Sequence, residues 1–342
     1  MDKYALGTFS QDGGRKFTGL VVRDRVVPLA ALGRAMAHSD PHAEHSLAAL
    51  LDSSVLGLLE NWDDNLRMID RLAEPVLSGG GDAGLDWQPV SSLIVHPPVD
   101  LPRQIFCTGA NYRKHVVDLT IDSGVGPEGL SGEALRRWAE DMMDERAAKG
   151  EPYVFTKPVS AVSGAFDPLR LPGNTTKPDW ELELGVVIGK GGYRISRADA
   201  LSHVAGYAIV NDISARDLIP RTDYKMLGTD WLRSKGQVGF LPFGPYLVPA
   251  RFVDNPQDLR LRLTVSGQVM QNETTADMIF DVARQIEYIS SYCRLLPGDL
   301  ICTGSPAGNG THYNRFLQPG DVMEGQIDGL GAQRATCVAD HG

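Results

Sequence analysis

Asp179-Trp180-Glu181-Leu182-Glu183-Leu184 leads directly into the apolar run Gly185-Val186-Val187-Ile188. Side chains alternate between the two faces of a β-strand, so the three carboxylates are predicted to point the same way. Like charges beside an apolar strand are costly unless they are neutralised. Mg²⁺ or Ca²⁺ would neutralise them, because these ions bind carboxylate oxygens. A solvated acidic edge strand is the alternative, and composition alone does not choose between the two.

The composition is that of an ordinary soluble globular protein. The chain has 342 residues, of which 42% are hydrophobic and 22% charged, a length that suits one large catalytic domain with a smaller second domain. The formal net charge of -10, with no stripe of Lys and Arg, argues against a nucleic-acid partner. No apolar run reaches 18 residues and the first residues do not resemble a signal peptide, so we expect a cytoplasmic protein without a membrane partner.

The four cysteines are spaced too widely for a zinc knuckle or a dense disulfide framework. They are Cys107, Cys293, Cys302 and Cys337, and they contain no C-x-x-C pair. We interpret them as buried thiols.

Two units are predicted, with the boundary at the proline cluster near residue 98. Residues 1–98 are expected to form a small α+β domain, with strands from Tyr4 to Phe9 and from Thr18 to Leu29 and two helical patterns between His45 and Leu77. Residues 99–342 are expected to form a β-rich α+β catalytic domain with a helix from Ala276 to Cys293. Its predicted strands are Ile105 to Thr108, Leu182 to Ile188, Ala205 to Val210, Tyr246 to Val248, Leu259 to Val265 and Leu300 to Thr303.

The segment 120–150 is a candidate mobile cover. A helix is predicted from Gly132 to Ala148, with Ser131 as its N-cap and Gly150 as its stop. Glycine-rich sequence on both sides suits a moving element. A plain surface helix remains the alternative.

Further polar clusters follow or precede apolar runs. His115 is followed at i+3 by Asp118, which in a helical turn could orient the imidazole. Asp212 follows the apolar run that ends at Val210 and could supply a third metal oxygen. Arg216 could bind an anionic substrate or simply pair with Asp217. Lys235 and the glycine-rich turn that begins at Thr303-Gly304 complete the candidates.

In chain order these segments resemble the fumarylacetoacetate hydrolase family, near its acylpyruvate hydrolases, over roughly residues 100 to 340. The matching stretches are Gly109-Ala110-Asn111-Tyr112-x-x-His115, Pro152-Tyr153-Val154-Phe155-Thr156-Lys157-Pro158, Asp179-x-Glu181-x-Glu183-Leu184, Asn211-Asp212-x-Ser214-Ala215-Arg216-Asp217, Ser234-Lys235-Gly236, Gly244-Pro245, Pro297-Gly298-Asp299, Thr303-Gly304-x-Pro306-x-Gly308 and Ile327-Asp328-Gly329-Leu330-Gly331.

The resemblance implies twisted, mostly antiparallel sheets rolled around a metal site, usually in a homodimer. It implies that a Mg²⁺ or Mn²⁺ ion is held by Glu181, Glu183 and Asp212, whereas Asp179 matches no ligand. It also implies that His115 is the general base on the cover, that Lys235 lies beside the metal and that Thr303 binds the substrate. We further predict that Asp118 orients His115 and that Tyr112, Arg216 and Gly304 bind the substrate.

Two positions depart from the family pattern. Asp118 stands where related members often carry Glu, and Ile219 stands where they often carry Gln. Both residues belong to segments that the resemblance places near the substrate. The identity of the substrate is therefore the least constrained part of the prediction.

The leading functional hypothesis is metal-dependent hydrolysis of a carbon–carbon bond in a 2,4-dioxo acid, with the 2-oxo acid half as the electron sink. The same enolate chemistry would also serve decarboxylation, double-bond isomerisation or dehydration of a sugar-derived 2-oxo acid. A non-catalytic metal-binding protein is the alternative of another class. It predicts loss of the histidine or the lysine, and both residues are present.

Overall fold

The computed structural model describes residues 3–39, 53–79 and 84–340, and every structural statement below concerns these residues. Part of the helical pattern predicted from His45 lies outside them, because residues 45–52 are not among those described. The rest of that pattern forms two helices.

The chain is a mixture of strands and shorter helices. Before residue 170 the strands are β1 Ala5–Ser10, β2 Phe17–Val22, β3 Arg25–Pro28, β4 Gln88–Pro89, β5 Ile94–His96, β6 Ile105–Gly109, β7 Tyr153–Thr156, β8 Val162–Gly164 and β9 Leu169–Leu171. The later strands are β10 Pro178–Asp179, β11 Leu182–Ile188, β12 Val204–Asn211, β13 Ser214–Ala215, β14 Leu241–Phe243, β15 Val248–Pro249, β16 Arg260–Val265, β17 Gln268–Thr274, β18 Leu300–Cys302, β19 Val322–Ile327 and β20 Gly331–Ala339. The α-helices are α1 Leu29–Ser39, α2 Val55–Leu59, α3 Trp62–Leu77, α4 Arg113–Ser123, α5 Gly132–Lys149, α6 Trp231–Lys235, α7 Val282–Tyr292 and α8 Gly310–Tyr313.

Three larger sheets organise these strands. The N-terminal sheet has the order β4-β3-β2-β1-β5, and its β2–β3 turn places Arg23 in the left-handed region at φ 58°. An eight-stranded sheet has the order β7-β6-β18-β11-β12-β14-β8, with β15 also paired to β12. A third sheet has the order β17-β16-β19-β20-β9. The pairings are mostly antiparallel, with parallel pairs between β6 and β18, β8 and β14, and β9 and β20. The predicted α+β class is therefore confirmed.

The apolar run after Glu183 forms the centre of the eight-stranded sheet. Every residue of β11 and of β12 is buried. Leu184 and Val186 pack in one hydrophobic cluster, whereas Val187 packs in the other, so both faces of β11 are covered. Each such aliphatic side chain contributes roughly 1.5–3 kcal/mol when fully buried. A strand buried on both faces explains the nearly continuous apolar sequence.

The helix predicted from Ala276 begins instead at Val282. Asp281 is its N-cap, and its carboxylate accepts a hydrogen bond from the Arg284 N–H at 2.7 Å. The preceding backbone is bound elsewhere, because the Ile279 N–H donates to the Asn111 carbonyl at 2.7 Å and the Phe280 N–H to the Asn111 side chain at 2.9 Å. These long-range bonds replace the intrahelical ones that the apolar spacing predicted.

The predicted cover contains two helices that pack against each other. The small apolar cluster between α4 and α5 is formed by Val117, Ala139 and Met143. Ser131 is the N-cap of α5 but makes no side-chain capping bond, and Gly150 ends α5 without a left-handed conformation. Movement of the 120–150 segment stays a prediction.

Candidate metal centre

Three buried carboxylates meet where β11 begins and β12 ends. Glu181, Glu183 and Asp212 each offer a ligand oxygen within 4.8 Å of the other two. Leu182 pairs with Asn211 in the antiparallel register. The Asp212 N–H donates to the Glu181 carbonyl at 2.9 Å, and the Asn211 side chain accepts from the Glu181 N–H at 2.8 Å. The sheet register therefore brings together residues about thirty positions apart.

The donor set fits a hard divalent cation. Burial, together with the neighbouring Asp212 and Glu181, raises the pKa of Glu183 well above its usual range. A bound cation would remove this penalty, and three carboxylate oxygens are the type of ligand that Mg²⁺ and Mn²⁺ prefer. When bound at Glu181, Glu183 and Asp212, the metal would act as a Lewis acid toward an oxygen of a bound ligand.

Two lysines neutralise part of the carboxylate charge. Lys235, at the end of α6, places Nζ 2.6 Å from Glu181 Oε2 and 2.5 Å from Asp212 Oδ2. Lys157 donates to Asp212 Oδ1 at 2.5 Å and to the Phe240 carbonyl at 2.6 Å. Burial raises the pKa of Glu181, but Lys235 and Arg216 outweigh burial and hold it at about 2. No role was predicted for Lys157, although a lysine that directly follows a strand could have indicated a buried ion pair.

Arg216 does not pair with Asp217 but with two other carboxylates. Its Nε donates to Asp179 Oδ2 at 2.8 Å, and its Nη2 lies 2.5 Å from Glu181 Oε1. Asp217 instead accepts hydrogen bonds from Thr175 and Thr176. The expected Arg216–Asp217 pair is therefore wrong, because Asp217 is satisfied by a neighbouring turn.

Asp179 supports the site without joining the cluster of three carboxylates. It is fully buried, and it accepts from the backbone N–H groups of Gly310 at 2.6 Å and Thr311 at 3.2 Å. β10 ends at Asp179 and β11 begins at Leu182, so the alternation predicted for the three acids is interrupted. Asp179 thus joins Arg216 to the first turn of α8.

His115 lies near the carboxylates on the first turn of α4. Burial and the nearby Arg216 lower its pKa to about 4, so the imidazole is neutral at pH 7. Its Nε2 lies 3.5 Å from the side-chain nitrogen of Asn309. The expected Asp118–His115 hydrogen bond is not formed, and Asp118 instead pairs with Arg136 of α5 at 3.7 Å. Asn309 was not predicted, since nothing near it in the sequence indicates contact with α4.

The predicted substrate-binding residues at the glycine-rich turn are engaged with the protein itself. The Thr303 hydroxyl donates to the Leu184 carbonyl at 2.9 Å, and the Gly304 N–H donates to Glu183 Oε2 at 2.8 Å. Gly304 has φ 98°, and an added Cβ would lie 2.8 Å from the Asn111 Cβ. The phenol oxygen of Tyr112 is buried beside the Thr303 hydroxyl but has no hydrogen-bond partner of good geometry among the described residues.

A Lys157→Met variant should strongly destabilise the protein. The substitution leaves Asp212 Oδ1 and the Phe240 carbonyl without their donor in a buried site, which costs about 3–5 kcal/mol of unfolding free energy. Lys149→Met is the matched control, because Lys149 pairs with Glu145 on the surface of α5, where such a pair contributes at most about 1 kcal/mol. Chemical denaturation measures both values, and equal effects of the two substitutions would contradict the assignment of Lys157.

No helix in residues 3–39, 53–79 and 84–340 combines the length and apolar character needed to cross a membrane.

The chain is similar to several known proteins over most of its length. The sequence pattern of the "Fumarylacetoacetate (FAA) hydrolase C-terminal" family matches residues 104–338. A 2,4-didehydro-3-deoxy-L-rhamnonate hydrolase from Sphingomonas sp. (strain SKA58) is 46% identical over 187 residues, which is 54% of this chain and 64% of that protein. The chain thus spans just under two thirds of that relative's length. The oxaloacetate tautomerase YisK from Bacillus subtilis (strain 168) is 32% identical over 96% of this chain and 97% of its own.

A solved structure extends the similarity to the whole fold. The maleylpyruvate hydrolase from Sphingobium sp. SYK-6, in complex with manganese (II) ion and pyruvate, superposes with a TM-score of 0.67 at 25% identity. The match covers 98% of this chain and 100% of that one. The curled sheets, the acidic site and the matched sequence pattern agree, and the chain belongs to the fumarylacetoacetate hydrolase family.

Proposed function

We propose that this protein is a metal-dependent hydrolase that cleaves a carbon–carbon bond in a 2,4-dioxo acid. The observation that carries the proposal is a cluster of three buried carboxylates with a neutral histidine and a buried lysine beside it. The 46% identity to a hydrolase of a 2,4-didehydro-3-deoxy sugar acid supports the choice of substrate class. A Mg²⁺ or Mn²⁺ ion at Glu181, Glu183 and Asp212 would favour the enolate half of the products.

The protein's own groups account for the proton transfers. We assign Nε2 as the unprotonated nitrogen of the neutral His115 imidazole, because the Asn309 amide nitrogen, 3.5 Å away, can only donate. The lone pair of Nε2 becomes available to a proton when a water molecule replaces that long contact. His115 would take this proton from water as the water oxygen bonds to the distal carbonyl carbon. The bond between C3 and C4 then breaks, and its electron pair passes to the 2-oxo acid half. Return of the proton from the His115 imidazole to C3 completes a pyruvate-type acid and a second carboxylic acid.

The lysine beside the carboxylates would stabilise charge that develops on the substrate. Lys235 is buried, and its ammonium lies 5.4 Å from the Phe155 ring centroid, a position that excludes water from one side. Burial lowers the pKa of Lys235, but Asp212 and Glu181 outweigh burial and keep it above the usual range. The ammonium group therefore stays charged at pH 7 and serves electrostatic stabilisation, not proton transfer.

Keto–enol tautomerisation of an oxaloacetate-type acid is the second candidate. The similarity to the Bacillus subtilis tautomerase spans nearly the whole chain and favours it. In this reaction His115 would move a proton between C3 and the enol oxygen, and no water would be consumed. The same residues would serve both reactions, so the reaction products distinguish the two candidates.

The homodimer, the cytoplasmic location and the division at residue 98 stay predictions.

Product analysis tests the proposed function directly. The purified protein is incubated with Mg²⁺ or Mn²⁺ and a panel of 2,4-dioxo acids, 2-oxo-3-deoxy sugar acids and oxaloacetate, and the products are identified by mass. We expect a 2,4-dioxo acid to gain one water and split into two acids. Accelerated oxaloacetate tautomerisation with no cleavage of any dioxo acid would instead favour the second candidate.

A further inference from the structure

The helix that carries His115 has little apolar contact with the body of the protein. Val117 is the buried residue of α4, and it packs mainly with Ala139 and Met143 of α5. The position of α4 must therefore depend largely on polar contacts at its two ends.

The first turn of α4 is held by several contacts. The Asn111 side chain donates to the Thr303 carbonyl at 2.8 Å and to the Phe280 carbonyl at 3.1 Å. The Lys114 N–H donates to Asp277 Oδ2 at 2.9 Å, and the Lys114 ammonium pairs with Glu273. These bonds fix where the helix starts but leave its direction free to change.

At the other end, Asp122 contacts His312 of α8. Asp122 Oδ2 lies 2.7 Å from His312 Nδ1, and each side chain is about two-fifths exposed. A carboxylate can only accept, so Nδ1 carries the hydrogen and the bond forms with a neutral or a charged imidazole. Among the described residues, this pair is the polar contact that joins the last turn of α4 to the body. A carboxylate there is unfavourable to the helix dipole, so helix formation itself does not explain Asp122.

Hydrogen bonds to other parts of the protein hold the α8 segment in place. Its first turn is bound to the buried Asp179, and the Tyr313 hydroxyl donates to the Met270 carbonyl at 3.0 Å. The His312 ring packs edge-on against Tyr313, with 4.9 Å between centroids. Asn309, which lies 3.5 Å from His115, is the residue immediately before α8. The same short segment therefore contacts α4 at its catalytic turn and at its far end.

We propose that Asp122 and His312 are positioning residues, a pair that sets the direction of α4 and so holds His115 against Asn309 and the carboxylate site. This inference rests on the proposed role of His115 as the base. The pair touches neither the substrate nor the carboxylates, so its effect on the rate is exerted through α4. A tilt of α4 would displace Nε2 from the position in which it accepts a proton.

The test compares Asp122→Ala, His312→Ala and the exchange variant Asp122→His/His312→Asp. Asp141→Ala is the control, because Asp141 is an exposed carboxylate on the neighbouring α5. Each single variant should lower kcat about twofold to fivefold while Mn²⁺ affinity and melting temperature stay unchanged, because a partly exposed pair can bias the position of α4 by only about that factor. The decreases in kcat of the two single variants should not add in the double variant Asp122→Ala/His312→Ala. The exchange variant should restore most of the wild-type kcat.

Two readouts do not depend on activity. Amide hydrogen exchange in α4 should be faster in both single variants, and diethylpyrocarbonate should modify His115 faster, as measured by mass spectrometry of its peptide. Unchanged exchange and labelling, an unchanged rate, or an exchange variant no better than the single variants would each overturn the proposal. If the wild-type protein cleaves no dioxo acid, the proposed hydrolysis fails, but exchange and labelling still decide whether the pair positions α4.

Discussion

A Glu183→Gln variant should lose metal binding and turnover while the metal-free protein becomes no less stable. Glu183 Oε2 accepts from the Gly304 N–H at 2.8 Å, a bond that a glutamine carbonyl can keep. The substitution replaces a buried carboxyl group whose ionised form is disfavoured beside Asp212 and Glu181, since its pKa is raised well above its usual range. Mutation of a residue that only orients a metal ligand lowers metal affinity or activity about 10–100-fold. Loss of a ligand itself should therefore lower turnover by more than about 100-fold. Calorimetric Mn²⁺ titration and denaturation of the metal-free protein measure the two effects.

Glu181→Gln is the matched variant with the opposite effect on stability. Glu181 pairs with Lys235 at 2.6 Å and with Arg216 at 2.5 Å, so its removal leaves two cations short of a partner. Metal binding should be lost as before, but the metal-free protein should also lose about 3–5 kcal/mol of unfolding free energy. Equal stabilities of the two metal-free variants, or retained Mn²⁺ affinity in either, would contradict this account of the site.

The carboxylate cluster was predictable because each of its residues is marked by the sequence immediately around it. Glu181 and Glu183 precede an apolar run, and Asp212 follows a second run that pairs with the first. Antiparallel pairing of two neighbouring strands then places the three side chains together. Hydrophobic periodicity alone predicted only a β-rich α+β domain. The family motifs predicted the particular arrangement of rolled sheets. The buried β11 and β12 match their predicted spans closely because both faces of each strand are apolar.

The polar contacts around the centre could not be predicted, because each depends on residues far apart in the chain. Asp179 binds the backbone of Gly310, about 130 residues later, and no local pattern indicates that contact. Asp118 was expected beside His115 on one helical face, but Arg136 from another helix competes for it. Spacing within a helix shows which side chains can meet. It does not show which charged group on another element is nearer. Spacing also misplaced the start of α7, because it does not show that the Ile279 and Phe280 N–H groups are bonded to the distant Asn111.

A His115→Ala variant should lose catalysis and keep its metal. The His115 imidazole lies near the carboxylate site, and it is neutral at pH 7 because burial lowers its pKa to about 4. Removal of a general base typically costs 10²–10⁴-fold in rate, and we expect kcat to fall by about that factor. Since no hydrogen bond joins His115 to Glu181, Glu183 or Asp212 among the described residues, Mn²⁺ affinity should stay the same.

His203→Ala is the control for that experiment. The His203 imidazole is bonded to the Lys190 carbonyl at 2.7 Å at the start of β12, the end of the strand opposite Asp212, so its loss should leave kcat unchanged. A His115→Gln variant sharpens the test, because glutamine can still hydrogen-bond to Asn309 but cannot take a proton at pH 7. If His115→Gln were as active as wild type, His115 would only be holding α4 in place, and a water-derived base elsewhere in the site would have to be sought. If both variants lose kcat with Mn²⁺ affinity intact, the imidazole is the proton acceptor and the carboxylates serve the metal alone.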